Sequence, residues 1–213
     1  DLPDWAVPGS SLYLWLCAVA CPTLAEGDFT VNSLRLRHPL TLGGESCLAW
    51  GFWGETEVED DFSNLDEVTW SSWADGGDAD SRIAFGEDGL RFALEEQSDE
   101  NEFGRYGICS RKPLVSSPSR ESYFSVIELD WDTEYTSGGR MALVTSPRET
   151  IWGKPHIRLG LERRGLVCEA WLGDEGAIAG TFQLPQVKGC LITILVGTWG
   201  VYVVGPNCKM KVA

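Results

Sequence analysis

Apolar and polar positions alternate along most of this chain with a period of two, and helical periodicity is scarce. His156 to Glu162 (HIRLGLE) shows the pattern well: Ile157, Leu159 and Leu161 fall on one side, His156, Arg158 and Glu162 on the other. Successive side chains of an extended chain point to opposite faces, so this alternation predicts a half-buried strand. The same reading predicts strands over 29–36, 46–53, 67–73, 81–85, 89–95, 106–110, 123–131, 140–145, 166–172, 177–184, 190–196 and 200–204. Gly, Pro, Asp and Ser separate them, as turns require. From Cys190 to Val204 the alternation gives way to a continuous apolar run, the pattern of strands buried on both faces or central in a sheet. Many short strands at this spacing predict an all-β, antiparallel sandwich.

Two segments interrupt the rhythm. Residues 5–25 carry no charge, and Leu12 to Ala20 is their densest apolar part. No basic residues precede it, as a signal peptide would need. Pro8, Gly9 and Pro22 leave about 13 residues for a helix, short of the roughly 20 that cross a bilayer. The favoured expectation is a buried strand or short helix packed on the main domain. The alternative is an attachment segment that meets lipid or a partner through Leu12, Leu14, Trp15 and Leu16. Glu55 to Asp61 (ETEVEDD) is an acidic run, expected as a solvated loop and a boundary. Together these divide the chain into an N-terminal extension, 1–59, and a sandwich, 60–213.

Composition narrows the classes. The 213 residues are 43% apolar with 10 Trp and 8 Phe, which excludes intrinsic disorder and suffices for a core without metals or disulfides. Thirty-two acidic against 17 basic residues give a net charge of −15. That charge opposes nucleic-acid backbones and anionic membrane surfaces. Seven scattered Cys, none in a CxxC pair, favour an extracellular or lumenal, oxidising compartment. Cys190 and Cys208, flanking a C-terminal hairpin, are the first disulfide candidates. Cys17 and Cys21 read as core residues or as partners in separate disulfides.

From Asp60 onward the order of signals resembles the concanavalin A-like lectin/glucanase superfamily. DDFSNLDEVTW (60–70), EDGLRFAL (87–94), YGICSRKPL (106–114) and YFSVIELDW (123–131) carry the resemblance. GGRMALVTS, PHIRLGLER and ITILVGTWGVYVVG fit the later strands. The resemblance implies a jelly-roll sandwich. It supports fold more than function, because lectins, laminin G-like domains and family-16-type glycosidases share it.

Three groups of residues carry candidate chemistry. Glu128, Asp130, Asp132 and Glu134 (IELDWDTE) share one face of an extended strand. The resemblance would make Glu128 a nucleophile, Asp130 an assisting acid and Asp132 the general acid of a retaining glycosidase. The third position departs from the family's Glu, and the strand stands where the family has a framing strand. An exposed acidic face is therefore favoured, and no catalytic residue is assigned. Asp75, Asp78 and Asp80 (DGGDAD) could wrap a hard cation such as Ca²⁺, though the spacing is not that of an EF-hand and a solvated loop is favoured. Trp70, Trp73, Trp131 and Trp152, with Trp171 beside them, are candidate sugar-stacking surfaces near loops or on polar-flanked strands. His38 and His156 are too few for a histidine metal site or a Ser-His-Asp triad. No phosphate-binding glycine loop or GxSxG elbow occurs. These observations favour a non-catalytic carbohydrate-binding domain needing no cofactor. A docking subunit of a larger assembly, and a glycosidase, stand as alternatives.

Overall fold

The computed structural model describes residues 11–19, 27–37, 56–75, 82–94, 105–113, 115–116, 124–132, 139–144, 156–162, 165–172, 175–185, 187–197, 200–206 and 208–211. The described residues form strands and turns, with no helix. In chain order the strands are β1 (Ser11–Val19), β2 (Gly27–Arg37), β3 (Thr56–Asp60), β4 (Trp70–Asp75), β5 (Ile83–Gly86), β6 (Gly89–Leu94), β7 (Arg105–Ser110) and β8 (Val115–Ser116). They continue as β9 (Phe124–Trp131), β10 (Gly139–Val144), β11 (His156–Glu162), β12 (Gly165–Leu172), β13 (Glu175–Phe182), β14 (Cys190–Gly197), β15 (Gly200–Gly205) and β16 (Cys208–Lys211).

These strands build two eight-stranded antiparallel sheets. The first runs β13-β12-β11-β10-β1-β7-β4, with β8 added to β1. The second runs β16-β15-β14-β9-β2-β6-β5, with β3 added to β2. The architecture is all-β, as the alternation predicts.

β1 and β2 are interior strands, each hydrogen-bonded on both sides: β1 to β10 and β7, β2 to β9 and β6. The described parts of residues 1–59 are therefore strands of the same two sheets as the residues after 60. The uncharged stretch needs no charge because β1 is buried on both faces. Leu14, Leu16 and Ala18 enter the main core from one side, while Trp15 and Cys17 are buried on the other. Leu14, Trp15 and Leu16 are thus interior residues rather than an attachment surface, and Leu12 stands opposite Val115 of β8. No helix among the described residues is long and apolar enough to cross a membrane.

One core lies between the sheets. The first supplies Leu14, Leu16, Trp70, Tyr106, Ile108, Met141 and Leu143; the second supplies Val31, Leu34, Leu36, Phe92, Ile127, Leu129, Trp131, Ile192 and Ile194. Cross-strand register makes these contacts. Leu16 faces Met141 and Ile108, Leu34 faces Leu129, and Ile127 faces both Leu36 and Ile194. Burying one such aliphatic side chain contributes roughly 1.5–3 kcal/mol, and the set is large enough to offset the ordering of a chain this size. Two polar groups inside are paired across the structure: the Tyr106 hydroxyl donates to the Ala93 carbonyl of the opposite sheet, and the Leu14 amide donates to Ser110 Oγ at 3.0 Å.

Two glycines are dictated by close approach. A Cβ on Gly107 would lie 2.3 Å from the Leu16 carbonyl oxygen and 2.7 Å from Cys17 Cβ. Gly89, at φ +98°, closes the β5–β6 turn where a side chain would meet the Val31 carbonyl oxygen at 2.4 Å. Other departures from expectation are local. The acidic run forms β3 rather than a loop, because Val58 packs on the core while Glu59 pairs with Arg35. Residues 67–69 form a turn rather than a strand, because the Asp66 carboxylate accepts from the Val68 amide and the Thr69 hydroxyl. The C-terminal apolar run forms β14 and β15 where two strands were expected, whereas polar β16 adds an edge that its sequence does not announce.

Candidate functional site

Residues 60–70 form a bridge between the sheets. Asp60, at the end of β3, accepts from the Phe62 amide at 2.7 Å and from Trp70 Nε1 at 2.6 Å. Phe62 adopts φ 55° and sets its ring 5.7 Å from that of Trp70. Arg111, just after β7, donates from Nε to the Trp70 carbonyl at 2.8 Å, and its amide donates to the Thr69 carbonyl at 2.8 Å. The Gly86 amide donates to the Phe62 carbonyl, which ties in the β5–β6 hairpin. Asp66 and Asp61 hold their carboxyls below the ordinary value of 3.8. For Asp66 the Thr69 hydroxyl is the main cause and the Val68 amide the next; for Asp61 both leading contributions come from Ser63. Residues 60–70 thus form a structural latch built from Asp60 and Trp70 together with Arg111. Trp70 is completely buried in it.

The acidic row on β9 is distributed over separate duties. Glu128 and Asp130 both occupy the outward face of the second sheet, where their register partners on β2 are Arg35 and Ser33. Glu128 pairs with Arg37 Nε at 3.2 Å, with side-chain exposures of 11% and 23%. Asp132 accepts from Asn32 Nδ2 at 3.0 Å and from the Gly189 amide at 2.8 Å. Asn32 also reaches Asp130 at 3.4 Å. Asn32 is the extra residue of a bulge between Val31 and Ser33. The two aspartates therefore pin a bulge and the turn before β14. Glu134 lies outside the described residues.

The tryptophans divide in two. Trp70 and Trp131 are core residues at 0% and 1% exposure, so neither offers a ring to a ligand. Trp73 is different. It stands on edge strand β4 opposite Gly107, on the outward face of the first sheet, and is half-buried. Its ring packs on Trp15, 4.6 Å between centroids and tilted by 44°. Its Nε1 has no hydrogen-bond partner. Around the pair lie Cys109, Ala142 and Val144, all buried, and half-buried Tyr13. Sequence reasoning misses Trp15 as a member of this face, because its two neighbours, Leu14 and Leu16, point into the core. Trp152 lies outside the described residues, and of Trp171 the backbone alone is described, opposite His156.

No group of three or more His, Cys, Asp or Glu among the described residues is arranged to hold a metal. Of the candidate calcium ligands, Asp75 ends β4 with its side chain outside the described set, and Asp78 and Asp80 lie outside it altogether. Among the described residues no disulfide is formed. Cys190 opens β14 and Cys208 opens β16, with β15 between them. The Cys208 side chain, the other half of the expected pair, lies outside the described residues. Cys109 stands opposite Trp15, next to the Cys17–Gly107 position. Burial pushes its thiol up to about 12; the Trp15 side chain opposes that rise and the Cys17 thiol adds to it. A thiol so raised is inert as a nucleophile at neutral pH.

No family model, no curated protein and no solved structure matches this chain.

Proposed function

We propose that this protein is a non-catalytic, lectin-like carbohydrate-binding domain that presents Trp73 as its sugar-stacking surface. The observation that carries the reading is the Trp73–Trp15 pair: a partly buried indole on an outward sheet face, backed by a second, fully buried indole. The apolar C–H face of a pyranose stacks on the accessible part of such a ring. The ring behind it holds Trp73 in one orientation, so little ordering cost falls on binding. The non-catalytic part is supported by the duties of the carboxylates. Glu128 is engaged by Arg37, and Asp132 by Asn32 and Gly189. The net charge of −15 and the seven cysteines support an extracellular or lumenal setting. The jelly-roll form of the sandwich belongs to the same proposal.

The test is a glycan array, run with and without Ca²⁺, followed by titration of the best oligosaccharide against tryptophan fluorescence. Trp73→Ala is expected to weaken binding about tenfold or more, the scale of one aromatic stacking contact with its buried area. An array without binders, or full affinity in Trp73→Ala, would overturn the reading.

A further inference from the structure

We draw no further inference here: the strongest candidate, the side-chain cluster of Trp15, Trp73, Cys17 and Cys109 on the outward face of the first sheet, is a largely buried apolar face, and beyond the Trp73 surface already proposed nothing in the structure shows what covers it.

Discussion

The two sheets share one kind of inward face and differ on the outward one. Inside, both contribute aliphatic and aromatic side chains at alternate positions to a single core. Outside, the first sheet carries an aromatic and small-residue cluster of Trp15, Trp73, Cys109, Ala142 and Val144. The second carries a charge ladder, with Arg35 paired to Glu59 at 2.7 Å and Arg37 to Glu128 at 3.2 Å, beside the buried Val126 and Leu195. Folding requires that the inward faces match each other. It leaves the outward faces free to diverge, so differences of chemistry between them are where function is to be sought.

The comparison can be broken most strongly at Trp15. If the first sheet's outward cluster is a second core, Trp15→Ala should cost about 3–5 kcal/mol, the range for deleting a buried tryptophan, read from chemical denaturation. A loss below about 1 kcal/mol would return that face to the status of ordinary surface. Gly107→Ala should follow with roughly 1–3 kcal/mol, because the added methyl must displace the β1 backbone or Cys17. Replacement by serine should cost at least as much.

Cys109 adds a pH-dependent distinction between the faces. Its thiol is raised from an ordinary 9.0 to about 12, so the folded state favours the neutral form. The associated stability is complete below about pH 9 and is lost as pH rises from there through 12. Between pH 8 and pH 11 the melting temperature of the protein should therefore fall relative to that of Cys109→Val. An unchanged difference would place the thiol in water. The smallest effects belong to the second sheet. Glu128→Gln should cost about 1 kcal/mol, and Arg35→Ala, whose pair is exposed, about half that or less. Glycan binding should be unaffected by either, and its loss in Glu128→Gln would move the site to the second sheet.

The fold class was legible because inward positions repeat every second residue, and the bounds of β11 and β12 fall within a residue of the expected 156–162 and 166–172. The topology was not. β1 pairs with residues 105–109 and 139–144, and nothing local to 11–19 names partners so far away. For the tryptophans the limit was parity. Trp70 and Trp73 lie three apart on one strand and so face opposite ways, one into the core and one outward, and a one-residue change of register would exchange them. The acidic row was placed on a common face by its spacing, which the register of Glu128 and Asp130 matches. Its partners come from the other strands: Arg37, Asn32 and the Gly189 amide lie far from β9 in sequence, and the bulge that brings Asn32 into reach has no signature in VNSL.

The interior position of β1 has a consequence for biosynthesis. Its apolar side chains and its backbone leave the ribosome well before their partners, for the Leu14 amide closes its bond to Ser110 only 96 residues later. At ordinary elongation rates of 5–20 residues per second, that is a wait of roughly 5–20 s. β2 waits in the same way for β9. During that interval the nascent chain displays two future interior strands with open edges, the apolar β1 among them, the condition that recruits chaperones or seeds aggregation. The yield of this protein in a heterologous host should therefore depend on translation speed and chaperone supply more than on the stability of the finished sandwich.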